Sequence, residues 1–380
     1  MIYLNNAATT LQKPPCVVQA VVEAINGQGS CGRGSYTSEL SAARTIFHTR
    51  EALARIFTFH HPERVVFTAN ATQALNAALW GLLNPGDHVI ATDWDHNSVL
   101  RPLHTLAKER GVKVDYLPAD RKGRLEYDQL EGLLHPSTKL LVGTHASNLT
   151  GNLLDVVRMS AFAQKHGLVF LLDAAQTAGS TPISMEEMGV HLLAFTGHKG
   201  LMGPQGTGGL CVRPGIDIAP LVEGGSGVHS FDERHPRFMP EALEAGTANA
   251  HGLAGLAAGC CWLAERGVAD VQAHIEGLVT RFLDGVADID GVQVLGGGSG
   301  QRCGIVAVNV GDADSGEIAD RLAQGWGVCV RPGAHCAPLM HRALGTEDAG
   351  AVRFSFSHFT TEDEVDAAAR ALACLAREAT

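Results

Sequence analysis

From residue 64 to 196 the chain alternates short apolar, β-branched runs with stretches of helical periodicity. Segments 64–68, 88–92, 112–117, 139–144, 168–173 and 192–196 read as strands, with helices over 71–83, 99–110 and 156–166 between them. Most of these strands are apolar throughout instead of alternating with polar residues, so both of their faces must be buried. That requires a mostly parallel α/β sheet covered by helices on each side. Beyond it, 214–241 is rich in Gly, Pro and charge and reads as a long irregular segment of the kind that serves function. Helices near 250–265 and 268–287 follow. A smaller α+β unit comes last, with strands near 304–310, 327–331 and 351–356 and helices near 315–324 and 361–376.

In a parallel sheet, ligands bind beyond the carboxyl ends of the strands. Two chemically telling residues fall there. Asp173 opens Asp173-Ala174-Ala175-Gln176 after the run 168–172, and Lys199 lies in Thr196-Gly197-His198-Lys199-Gly200 after the next strand. Alone, a strand-end Asp is a turn former and a loop Lys a solvated charge. Together they suit pyridoxal phosphate (PLP): the carboxylate keeps a pyridinium nitrogen protonated, and the amine bonds the cofactor aldehyde. A third strand end, Asn70-Ala71-Thr72-Gln73, opens a helix and offers an anion free N–H groups, a positive dipole end and a hydroxyl. His96 follows strand 88–92, where an imidazole could stack on a pyridine ring. His198 adjoins the lysine and could donate to a phosphate.

Composition narrows the function. With 45% hydrophobic and 18% charged residues, the 380-residue chain is an ordinary globular protein. A formal net charge of −11 argues against nucleic acid or an anionic membrane as partner. No apolar stretch approaches the ~20 residues needed to span a bilayer, and Met1–Asn6 does not resemble a secretory leader. Nine cysteines without Cys-x-x-Cys spacing exclude a zinc ribbon and fit a reducing cytoplasm. His60-His61, Cys260-Cys261 and His335/His341 lack metal-ligand context, so no metal is expected. Gly297-Gly298-Ser299-Gly300 precedes no nucleotide-binding helix and reads as a turn.

Further motifs give these residues a family. Tyr3-Leu4-Asn5-Asn6-Ala7-Ala8, Ser147-Asn148, Glu244-Ala245-Gly246-Thr247, Arg331-Pro332-Gly333-Ala334-His335-Cys336-Ala337 and Val352-Arg353-Phe354-Ser355 run nearly end to end. With Asp173–Gln176 and Thr196–Lys199, the sequence resembles the class V aminotransferase-like PLP enzymes of fold type I. Within them it is similar to the group II cysteine desulfurases and selenocysteine lyases.

The resemblance implies a large domain over 15–255 with a seven-stranded sheet, and a small domain from 1–14 and 256–380. It implies that Lys199 holds the cofactor and moves the Cα proton, Asp173 pairs with the ring nitrogen, Gln176 bonds the ring hydroxyl and His96 stacks on the ring. Thr72, in the helix start shared with Ala71, would hold the phosphate together with Thr196 and His198. Thr247 would reach it from the second subunit of a homodimer. Arg353 would grip the substrate carboxylate, with Asn148 assisting. Cys336 would attack the substrate sulfur or selenium, leaving alanine and a persulfide for an acceptor protein.

The pattern also departs from that branch. Ala334-His335 stands where two histidines are usual, and Asp95-His96-Asn97 where Glu-His-His is frequent. Ala174 and Thr196 replace a glycine and a serine without changing the chemistry. The short segment before Cys336 predicts a constrained loop and slow turnover without an acceptor. Cys336 separates this reading from transamination, β-elimination and kynureninase-like hydrolysis. Lys199, Asp173 and Arg353 together argue against a non-catalytic scaffold.

Overall fold

The computed structural model describes residues 1–29, 36–297 and 301–379. Cys31 and the Gly298–Gly300 part of the expected glycine turn lie outside them. Seven strands form the principal sheet in the order Val65–Thr68, Gly208–Val212, Leu192–Thr196, Val169–Asp173, Thr138–Thr144, His88–Thr92, Lys113–Leu117. From Leu192–Thr196 outward to Lys113–Leu117 all pairings are parallel. The central runs are buried on both faces as their composition requires, whereas the edge strand Lys113–Leu117, with polar Lys113 and Asp115, is partly exposed. Leu141, Phe170, Leu172, Leu193 and Phe195 enter one core, while their neighbours Leu140, Val142, Leu171, Leu192 and Ala194 enter the other. Each fully buried aliphatic side chain contributes about 1.5–3 kcal/mol relative to exposure.

Helices Ala71–Leu82 and Asn97–Arg110 seal one face through Leu75, Leu79, Val99 and Leu103. Helices Thr37–Ile56, Val156–His166 and Ala250–Arg266 seal the other through Leu53, Met159, Leu253 and Leu256. The expected boundary near residue 255 thus falls inside a helix whose Leu256, Cys260 and Leu263 belong to the large core.

One strand escaped the sequence reading. Gly208–Val212 runs antiparallel to both of its neighbours, Val65–Thr68 and Leu192–Thr196. Its two leading glycines weaken any strand signal, yet packing demands them: a Cβ on Gly209 would lie 2.3 Å from the Val66 carbonyl oxygen, and one on Gly208 2.6 Å from the Asn70 Cα. Helices Pro15–Gly27, Thr37–Ile56 and Pro338–Leu344 also went unread. The segment after Val212 carries no helix or strand until Glu241, as expected.

The smaller sheet centres on Ile305–Val310, antiparallel to Val352–Ser355 and Val292–Val294. Phe282, Phe354, Leu322 and Leu372 form its core. The chain start is tied to this unit: Ile2–Tyr3 pairs with Val328–Cys329, and Ser355 N–H donates to the Leu4 carbonyl at 2.7 Å. The next residues cross to the large sheet. Thr10 and Lys13 donate to the His198 carbonyl at 3.2 and 2.7 Å, and the Thr10 hydroxyl donates to that of Lys199 at 2.9 Å.

Candidate active site

Asp173 and Thr196 end two adjacent parallel strands, with Asp173 in register with Ala194, and Lys199 follows in the turn. One cavity there is lined by Asp173, Lys199, Gln176 and His96, with Ala71 and Thr72 from one side and Thr196, His198 and Asn148 from the others. Nine of the twelve residues singled out in the sequence therefore meet in one place. Arg353 and Cys336 border it, and Thr247 does not.

Two opposite charges set the floor. The Asp173 carboxylate is buried and accepts the Ala175 N–H at 2.9 Å. Burial raises its pKa above the usual range, opposed by that hydrogen bond and by the Lys199 charge. Lys199 is pushed down to about 8, first by burial and then by the nearby Arg353 guanidinium, with Asp173 pulling the other way. A lysine near 8 is partly neutral at physiological pH, as a nucleophilic amine and proton carrier must be.

The opposite wall is built to hold an anion. Asn70 caps helix Ala71–Leu82 by accepting the Gln73 N–H at 3.0 Å, and Gln73 Oε1 accepts the Ala69 N–H at 2.8 Å. Ala71 and Thr72, the first helical positions, have no acceptor within the helix and line the cavity. The Thr72 hydroxyl is 2.7 Å from Ser98 Oγ, itself 2.8 Å from His96 Nδ1. The Ser98 N–H also donates to that Nδ1, so the neutral imidazole carries its proton on Nε2. Burial, then Lys199, Arg331 and Arg353, hold His96 near 4, so the ring facing the cavity is neutral. Thr196 Oγ1 is buried with no protein partner. A ring with a basic nitrogen, an aldehyde that condenses with an amine and a phosphate each find a matching group here.

Arg353 lies on strand Val352–Ser355, opposite Ala307, with 1% of its surface exposed. Its Nη1 donates to the Asn148 carbonyl at 2.7 Å, while Nε and Nη2 have no partner. Burial and the neighbouring Arg331 lower its pKa to about 9. A buried guanidinium with two idle donors is a strong site for a carboxylate. Asn148 donates through Nδ2 to the His335 carbonyl, and its Oδ1 is also unpartnered. His335 and Cys336 both adopt left-handed backbone, with φ of 49° and 58°. The Cys336 carbonyl accepts the Asn97 N–H at 2.9 Å, and Cys336 shares a groove with His96, Thr72 and Ser98. One ring nitrogen of each of His335 and His341 is used by the protein itself, Nε2 against the Ala351 carbonyl at 3.0 Å and Nδ1 against Thr346 Oγ1 at 2.7 Å, while the other nitrogen of each is buried without a partner.

Thr247 lines a separate pocket with Arg50, Phe67 and Glu244. Glu244 anchors that stretch: its carboxylate takes two Arg50 hydrogen bonds at 2.7 and 2.8 Å and the Phe67 N–H at 2.7 Å. The sequence reading missed Ser98, whose only signal was its place two residues into a helix after His96. It also missed Thr10 and Lys13, whose contacts with the lysine turn are far apart in sequence.

The sequence matches the Aminotransferase class-V family over residues 2–368. It is 33% identical over 371 residues to a probable cysteine desulfurase of Methanothermobacter thermautotrophicus, covering 96% of this chain and 92% of that one. It is 30% identical over 383 residues to cysteine desulfurase CsdA of Escherichia coli, covering 98% and 93%. The fold superposes on an apo cysteine desulfurase of Thermococcus onnurineus with a TM-score of 0.92 and 30% identity, covering 99% and 95% of the two chains. Matched along nearly its whole length in sequence and in fold, the chain belongs to the class-V aminotransferase family.

Proposed function

We propose that this protein uses PLP to remove sulfur from L-cysteine, giving L-alanine and a persulfide on Cys336. The observation that carries the reading is the placement of Cys336. Two successive non-glycine residues in left-handed backbone cost about 1–3 kcal/mol each, and they present a thiol in the groove it shares with His96. Transamination, elimination and hydrolysis have no use for that thiol.

When bound, PLP supplies the electron sink for cleavage at Cα and Cβ. Asp173 would hold its ring nitrogen, Gln176 its ring hydroxyl and His96 its ring face. The first turn at Ala71 and Thr72, with Thr196 and His198, would hold the phosphate, and the partner subunit's Thr247 would complete that site in a homodimer. Arg353 takes the substrate carboxylate through Nε and Nη2, with Asn148 beside it. Lys199 accepts the Cα proton and returns it. The Cys336 thiolate attacks the substrate sulfur, so that an S–S bond forms as the Cβ–S bond breaks and the carbon skeleton leaves as alanine. The persulfide then passes to an acceptor protein, because a loop tied to Asn97 and Asn148 has short reach. The two-unit division, 15–255 against 1–14 with 256–380, belongs to this proposal, with helix Ala250–Arg266 spanning the boundary. So does a cytoplasmic location; no described helix is long and apolar enough to cross a membrane.

The test compares alanine formed from L-cysteine and from L-selenocysteine by wild type and Cys336→Ala. Alanine from cysteine that vanishes in the variant supports the reading. Alanine from selenocysteine alone assigns a selenocysteine lyase, since selenium leaves more readily without an attacking thiol. A protein that binds PLP and makes no alanine from either overturns both.

A further inference from the structure

At the opposite ends of the strands, three side chains from separate elements converge without any part in the site above. His88 begins strand His88–Thr92, Asp115 sits on the edge strand Lys113–Leu117, and His135 lies in the turn before Thr138–Thr144. His88 Nε2 and His135 Nε2 stand 3.2 and 3.1 Å from the same oxygen, Asp115 Oδ2, and the three ligand atoms lie within 4.8 Å of one another. The two rings are tilted against each other with centroids 4.4 Å apart. We propose that His88, Asp115 and His135 form a binding site for a divalent first-row transition-metal ion of the zinc type, remote from the Lys199 pocket.

The distances favour an ion. Zinc bonds of about 2.0–2.2 Å to imidazole nitrogen and carboxylate oxygen place tetrahedral ligands roughly 3.3 Å apart, close to both observed separations. Two imidazoles and a carboxylate suit zinc, nickel or ferrous iron and not calcium or magnesium. The outer contacts of a metal-bound histidine are also present. His88 Nδ1 lies 2.7 Å from Thr138 Oγ1, which accepts the His135 N–H at 2.8 Å. That hydroxyl can accept from Nδ1–H, freeing Nε2 for a metal, or donate to Nδ1 when Nε2 carries the proton toward Asp115. His88 is fully buried, whereas the Asp115 and His135 side chains are 42% and 44% exposed, which gives an ion a way in and leaves water a fourth position. A bound ion would tie the edge strand and the turn before Thr138–Thr144 to the sheet.

The experiment is calorimetric titration of the chelator-treated, PLP-loaded protein with zinc chloride. Wild type and Cys336→Ala should each take up one tight equivalent. His135→Ala and Asp115→Asn, both at partly exposed positions that spare the buried His88, should weaken that equivalent at least 100-fold, and Thr138→Val about 10–100-fold. Zinc should raise the melting temperature of wild type and not of His135→Ala. An equivalent unchanged in His135→Ala and Asp115→Asn, or lost in Cys336→Ala, places zinc elsewhere and overturns the site. Absence of binding below millimolar zinc reduces the trio to a hydrogen-bonded cluster and also overturns it. None of these readouts depends on desulfuration.

Discussion

The backbone amide of Asn97 donates to the carbonyl oxygen of Cys336 across 2.9 Å, joining the thiol loop to the turn that carries His96. Asn97 is the first residue of helix Asn97–Arg110, and His96 before it is extended, with φ −71° and ψ 156°. Proline is at home at a first helical position and after an extended residue. Asn97→Pro therefore deletes this donor and leaves the helix in place. The expected result is a roughly tenfold fall in the rate of alanine formation from cysteine, about the worth of one hydrogen bond, with an unchanged melting temperature. Asn97→Ala keeps the amide and should stay near wild type. Equal rates in the two variants would show that the bond does not position Cys336.

Arg353 and Lys199 are coupled, and one substitution reads both roles. Arg353→Gln removes a charge that depresses Lys199, so the lysine pKa should rise above about 8 while staying below its free value, because burial is the larger cause. Recapture of PLP by the cofactor-free protein needs the neutral amine, so its rate-against-pH curve should move to higher pH. Loss of the carboxylate partner should also raise KM for cysteine about 10–100-fold, the worth of a charge-assisted hydrogen bond. An unmoved pH curve would mean that the Arg353 charge does not reach Lys199.

The same residues show what a sequence can disclose. Asp173 and Lys199 are legible because one closes and the other follows a strand that is apolar on both faces, and strand ends of a parallel sheet are where ligands bind. Gly208–Val212 is not, because its glycines answer to the Val66 carbonyl and the Phe195 ring, neighbours distant in sequence. Ser98 and the Thr10 and Lys13 contacts to the lysine turn were hidden for the same reason. His60-His61, Cys260-Cys261 and His335/His341 stand close together in the sequence, whereas His88, Asp115 and His135 meet only when strand order is known.

Glu244 shows a motif residue with a structural task. Its bidentate pairing with Arg50 is largely removed from water, with side-chain exposures of 17% and 7%, and the guanidinium also packs 4.6 Å from the Phe67 ring centroid. Breaking such a pair strands a buried cation, so Glu244→Ala should cost about 3–5 kcal/mol in urea unfolding. Glu244→Gln keeps an acceptor for the Phe67 N–H and should lose less. A loss below about 1 kcal/mol in Glu244→Ala would place the pair among ordinary surface salt bridges.

Asp95, next to His96, gives the pH test of the fold. Its carboxyl is fully buried; Oδ2 accepts the Thr92 N–H at 2.7 Å and the Thr92 hydroxyl at 3.0 Å, while Oδ1 has no partner. Burial outweighs those bonds and raises its pKa from 3.8 to about 7, with the Asp173 and Asp93 charges adding to the rise. Between those values the folded state holds a proton that the unfolded chain has released. The contribution of Asp95 is thus fully present below about pH 4 and is lost as pH rises through 7. Asp95→Asn keeps an acceptor toward Thr92, cannot ionise and should flatten this fall. Relative to wild type, the variant should gain up to about 4 kcal/mol between pH 4 and pH 8, from 1.36 kcal/mol per pKa unit. Denaturant unfolding at the two pH values measures it, since groups that titrate alike in both proteins cancel in the difference. A stability difference that does not change with pH would mean that Asp95 is ionised in the fold, its charge carried by the Thr92 hydrogen bonds.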